Sequence, residues 1–141
     1  MSKKEFTAIA TTCEIDPGSE EMDGATLRIR NRVFTDIVES DDPRLAGVNK
    51  PTLNLDLDPA SGQGTLEGEF VLTPQAVEGT WEGSLTGSLE GGLVRARGQA
   101  SGTGILQGFD LHVEYEQIKE HPGQPPCEDP QAFFQMWGHV G

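Results

Sequence analysis

Aromatic residues make up only 6% of this 141-residue chain; tyrosine occurs once and histidine three times. Basic residues are also scarce: 10 lysines and arginines face 23 aspartates and glutamates, a net charge of −13. Such a surface repels phosphate backbones and anionic head groups, so neither nucleic acid nor a membrane surface is an expected partner. No run approaches the roughly 18 apolar residues of a membrane span. No apolar core follows the charged stretch Met1–Glu5, so no signal segment is read and the expected location is cytoplasmic. Cys13 and Cys127 are the only cysteines. Two such distant residues make no disulfide framework and are expected to be unpaired thiols.

Familiar chemical signatures are missing as well. There is no Ser-His-Asp order, no P-loop and no dinucleotide fingerprint. His112, His121 and His139 match no metal-ligand spacing. The stretch from Asp56 resembles a calcium loop only superficially, with Ala60 where an oxygen ligand is needed and Ser61 where glycine is needed. Arg28, Arg30 and Arg32 share one strand face, and their expected partners are carboxylates on neighbouring strands. No metal and no cofactor is expected.

What the chain does have is backbone punctuation and a period of two. Its 18 glycines and 9 prolines argue against a helical bundle. Leu53–Asp58 and Phe109–Glu116 alternate apolar and polar residues, and Leu27–Val33 does so with arginines on the polar face. Each reads as a strand with one buried and one wet face. Turn residues separate these runs, among them Gly91-Gly92, which accept positive φ at both positions. The pattern predicts about eight strands, near 5–15, 25–38, 52–58, 64–73, 78–90, 93–101, 104–118 and 132–139. The last of these also reads as a helical turn. Glycines inside strands mark the bends that a closing sheet needs. The expected fold is all-β: a single antiparallel up-and-down β-barrel occupying residues 1–141, with a sandwich as the second choice.

The glycine spacing from Gly79 to Tyr115 carries a resemblance. Gly79-Thr-Trp-Glu-Gly-Ser-Leu-Thr-Gly, then Gly91-Gly-Leu-Val, then Ser101-Gly-Thr-Gly-Ile-Leu-Gln-Gly-Phe-Asp-Leu resembles small uncharacterised bacterial barrel proteins. These are similar to the allene-oxide-cyclase and dirigent type of calycin-like barrel. Asp42-Pro-Arg-Leu-Ala-Gly before a strand fits the same resemblance. It implies a barrel that guides cyclisation or coupling of apolar intermediates, often as an oligomer. No catalytic motif matches, so no catalytic residue carries over.

Alternation places Leu27, Ile29, Leu53, Leu55, Phe70, Trp81, Leu85, Phe109, Leu111, Val113 and Tyr115 inside the barrel. Gly68, Gly83, Gly87, Ala96, Gly98 and Ala100 share that parity and supply almost no volume. Either the aromatics fold over the glycines and fill the barrel, or a cavity remains. Phe70, Trp81, Leu85, Phe109 and Leu111 are then the expected contacts of a small apolar ligand. The expected chemical groups are Glu14, Tyr115 and Asn31. In the first strand either Glu14 or Cys13 faces inward, and a carboxylate buried there would have its pKa raised, which suits a general acid or base. Tyr115 would donate a hydrogen bond to a ligand oxygen. Asn31 interrupts the inward series Leu27, Ile29, Val33. Three functions fit: a cofactor-free isomerase or cyclase, a non-catalytic carrier of apolar ligands, and a structural or interaction barrel with a filled core. The C-terminal cluster Phe133, Phe134, Met136 and Trp137 adds the expectation of a small homo-oligomer, because large apolar patches are rarely exposed.

Overall fold

A computed structural model describes residues 3–141. The alternating runs form nine antiparallel strands: β1 (Lys4–Asp16), β2 (Ser19–Asp23), β3 (Thr26–Glu39), β4 (Gly47–Asp58), β5 (Gln63–Pro74), β6 (Trp81–Glu90), β7 (Leu93–Gly102), β8 (Asp110–Ile118) and β9 (Ala132–Val140). Neighbours in sequence are neighbours in space from β3 through β9. β1 pairs with both β9 and β3, which closes an eight-stranded up-and-down barrel. β2 is the additional strand. It follows the bend at Pro17-Gly18 and runs along the first half of β3 as a continuation of β1. The C-terminal segment is a strand, β9, and residues 104–106 form a single 3-10 turn ahead of β8. Among the described residues no helix is long and apolar enough to cross a membrane.

Two bulges control which side chains face inward. In β1 the register against β3 slips between Thr12 and Glu14, leaving Cys13 as the extra residue. In β3 the register against β4 slips between Ile29 and Arg32. Asn31 sits in that slip with φ 56°, a left-handed conformation that asparagine tolerates better than most residues. A side-chain period of two means that one extra residue moves every later side chain to the opposite face. Ile29 therefore faces inward on one side of the bulge, while Asp36 and Val38 are buried on the other.

One end of the barrel is closed by packing. Trp81, Leu72, Leu111, Val140 and Phe6 are buried there. Leu45, fully buried, reaches in from the loop between β3 and β4, and Leu106 from the 3-10 turn. The Trp81 Nε1–H donates to the Arg44 carbonyl at 2.9 Å, which ties the β3–β4 loop across this end. Asp42 holds that loop in shape by accepting from Arg44 Nε at 3.1 Å and Nη2 at 2.9 Å. Burial alone would raise the Asp42 carboxyl, but the Arg44 hydrogen bonds and charge outweigh it and hold it below its ordinary value. Halfway along the barrel Phe70 lies over Gly98, where a Cβ would stand 3.0 Å from the ring. This half of the barrel is filled, as one of the two alternatives required.

Two expectations are corrected here. Cys13 and Cys127 form a disulfide closing a separation of 114 residues. It straps the long loop between β8 and β9 to the outer wall at the β1 bulge, where the Gln131 N–H also donates to the Thr12 carbonyl at 2.8 Å. Phe109 precedes β8 and is exposed, so it does not line the interior. The C-terminal aromatic cluster is divided within the chain. Met136 is buried, Phe134 packs against the core, and Phe133 meets the edge of His121 at a centroid distance of 5.9 Å.

Candidate functional site

At the other end the small residues leave space. A half-enclosed cup of about 170 Å³ lies between Phe34, Pro51, Leu53, Leu55, Leu66, Leu85, Val94, Ala96, Ala132 and Phe134, with Thr12, Asp36, Tyr115 and Gln117 as its polar members. Its walls come from all eight barrel strands and from the same inward parity that fills the closed end. Volume is missing because Ala96 and Ala132 stand where larger side chains would meet across the barrel. Gln117 Oε1 accepts the Val94 N–H at 3.0 Å, which fixes the rim beside the Gly91-Gly92 turn.

Toward the closed end, the cup meets a polar layer. Thr12, Asp36 and Asn49 lie side by side on β1, β3 and β4, paired in register as Thr12 with Asp36 and Asp36 with Asn49. The Thr12 hydroxyl donates to Asp36 Oδ1 at 2.6 Å. Burial raises the Asp36 carboxyl to a pKa of about 6, and the Thr12 hydrogen bond only partly opposes that rise. Tyr115 faces this layer from β8. Burial and the Asp36 charge push its pKa upward, partly offset by the nearby Asn49 amide. Asn49 is itself fully buried, and neither of its amide atoms makes a hydrogen bond of normal geometry. A carboxyl that titrates near neutrality, facing a tyrosine that stays protonated, can exchange a proton with a ligand or accept a hydrogen bond from one.

The expected site residues are scattered by this arrangement. Tyr115 and Leu85 are at the cup. Phe70, Trp81 and Leu111 are buried in the middle and closed end of the barrel. Glu14 is exposed beyond the β1 bulge, so no carboxylate faces inward at that position. Asn31 is exposed as well, and its backbone N–H donates to Asn54 Oδ1 at 3.1 Å, so it shapes the β3 bulge from outside the cup. Asp36 is the residue that alternation missed. Its signal was Asn31 itself: a polar, left-handed-tolerant residue interrupting an apolar series is where a bulge and a parity change belong.

The outer wall carries wider, shallow depressions, one of about 680 Å³ between Glu69, Glu82, Ser84, Gln99 and His112. The floor of this one is backbone at small inward residues such as Gly83 and Ala100. His112 and His139 stack across β8 and β9 at 4.7 Å, and His121 Nε2 lies 2.8 Å from Glu39 Oε1. Arg28 and Arg30 pair with Asp56, and Arg32 with Glu20, as the cross-strand reading anticipated. In comparisons with protein-family models, curated proteins and solved structures, the chain matches none.

Proposed function

We propose that this barrel binds a small, largely apolar molecule in the cup at its open end. The observation that carries the reading is the pairing of apolar walls with one buried, titratable carboxyl in a space that the fold leaves unfilled. A cavity of roughly 150 Å³ holds a benzene-sized molecule, so the cup accommodates one ring or a short branched chain, and longer ligands extend through the mouth. The disulfide fits an oxidising compartment better than the cytoplasm.

A catalytic reading rests on Asp36 and Tyr115 together. An acid–base group near neutrality beside a hydrogen-bond donor, inside a cavity that restricts a flexible substrate, suits an isomerase or cyclase working mainly by orientation. This agrees with the activity that the resemblance to cyclase-type barrels implies. A carrier needs the walls and no proton transfer.

Toluene uptake followed by the methyl NMR signals of Leu85 and Ala96 tests the binding reading. Shifts that saturate at both methyls in the unsubstituted chain, with the Leu85 shift lost in Ala96→Phe, support it. Toluene that leaves these signals unmoved while Ala96→Phe is strongly destabilised overturns it, because the cup would then be closed in solution. Turnover that persists in Asp36→Asn and Tyr115→Phe would remove the acid–base roles.

A further inference from the structure

The binding reading leaves the ligand's polar end open, and the polar layer of the cup narrows it. Asp36 is the one charged residue lining the cup. Among the described residues its only hydrogen-bond donor is Thr12, to Oδ1. Among the described residues no basic side chain forms an ion pair with it. Arg28, Arg30 and Arg32 pair with Asp23, Asp56 and Glu20, Arg44 with Asp42 at the closed end, and Arg95 and Arg97 with Glu116 and Glu114. Among the described residues the carboxylate is therefore buried without an ion-pair partner, with lone pairs left for a donor that they do not supply.

Resting on that reading, we propose that the cup takes a small organic cation: a compact apolar body carrying a primary or secondary ammonium group that docks on Asp36. The ammonium N–H groups would donate to the Asp36 carboxylate, with the Tyr115 oxygen opposite as a second acceptor. A charged donor on a charged acceptor makes a stronger hydrogen bond than a neutral pair, more so inside an apolar wall. The apolar body would occupy the space between Leu53, Leu85, Ala96 and Phe134. An anionic ligand is disfavoured, since it would place two like charges together in that wall. The net charge of −13 raises the local concentration of cations around the chain in the same direction.

The test uses the full chain with its disulfide intact and three probes of one shape: benzylamine, benzyl alcohol and toluene. Binding is measured by calorimetry and located by the Leu85 and Ala96 methyl signals. At pH 7.5 benzylamine is expected to bind at least tenfold tighter than benzyl alcohol. Asp36→Asn should abolish that preference, the benzylamine affinity falling to within about twofold of that of benzyl alcohol. A second arm needs no variant. Thr12, Asn49 and Tyr115 are the polar groups facing Asp36, and none of them titrates between pH 5 and 7.5. In the unsubstituted chain the preference should therefore fade as the pH drops through the Asp36 titration. Toluene binding with no gain for benzylamine overturns the cation inference and leaves the cup reading standing. Failure of all three probes to reach the methyls overturns both. Benzylamine binding that survives both Asp36→Asn and Ala96→Phe would be pairing with surface carboxylates, and it also overturns the inference.

Discussion

Replacing Asp36 with asparagine should stabilise the protein, and only above the pH at which the carboxylate forms. The folded-state pKa of about 6 lies above the ordinary 3.8. The folded chain thus holds this proton more tightly than the unfolded chain does. Stability from the group is complete below pH 3.8 and is lost as the pH rises to about 6. A shift of two units corresponds to about 3 kcal/mol at pH 7.5, at 1.36 kcal/mol per unit. Asparagine keeps the shape and an oxygen for the Thr12 hydroxyl, has no charge to desolvate, and can direct its amide toward the cup mouth. Unfolding entropy for a chain of this length is about 0.3 kcal/mol/K, so the full effect would raise Tm by ~10 °C. The assay is thermal unfolding by circular dichroism on both proteins from pH 4 to pH 8, without reductant. The difference in Tm should be near zero at pH 4, grow between pH 4 and 6, and level off above. A difference that is constant with pH, or a variant less stable at pH 8, would refute the argument that the carboxylate is buried without compensation.

Filling the cup and overfilling the barrel should separate cleanly. Ala96→Phe should change stability by less than about 1.5 kcal/mol in denaturant titration, whereas Gly83→Ala should cost ~1–3 kcal/mol, since its Cβ would meet the Gln99 carbonyl and Ala100. At the β3 bulge, Asn31→Gly should be nearly neutral and Asn31→Val destabilising by about 1 kcal/mol or more, because φ is 56°; urea unfolding of the pair checks this. Peptide mapping without reductant should recover Cys13 linked to Cys127, and Cys127→Ala should lose ~2–4 kcal/mol through the long loop that the bond closes.

The barrel was legible because its signal is repeated: short alternating runs separated by turn residues admit few arrangements other than a meander closing on itself. β2 was not legible, because Ser19–Asp23 carries a single apolar residue, Met22, is exposed throughout, and pairs only as the continuation of β1 along β3. The site was half legible. Tyr115 lies on β8, where the alternation runs without interruption and parity transfers directly from sequence to space. Asp36 lies past a bulge, and counting by twos from Leu27 puts it outside. The same error, with the opposite sign, brought Glu14 inward. The disulfide was missed for a related reason. Nothing local to Cys13 or Cys127 predicts their meeting, which depends on β9 folding back along β1 and carrying the preceding loop with it.

The identity of residue 36 separates a folding role from a functional one. The closed half of the barrel shows what this fold uses when only packing matters: Phe70, Leu72, Leu111 and Val140 at inward positions, with a single indole N–H satisfied by a carbonyl. At residue 36 packing would be served by an apolar side chain of similar size, and the Thr12 hydroxyl by a neutral amide. A carboxyl instead raises its own pKa to about 6, opposes its own burial above that pH, and perturbs Tyr115 across the cup. By contrast Asp42, the other buried aspartate, is matched by Arg44 through two side-chain hydrogen bonds and sits where no cavity exists. One aspartate is compensated within the fold and stabilises a loop; the other faces an apolar cup with its charge unmatched. The physical cost at Asp36 is recovered only when something outside the chain supplies the missing donor, so the arrangement favours a ligand over a packing role.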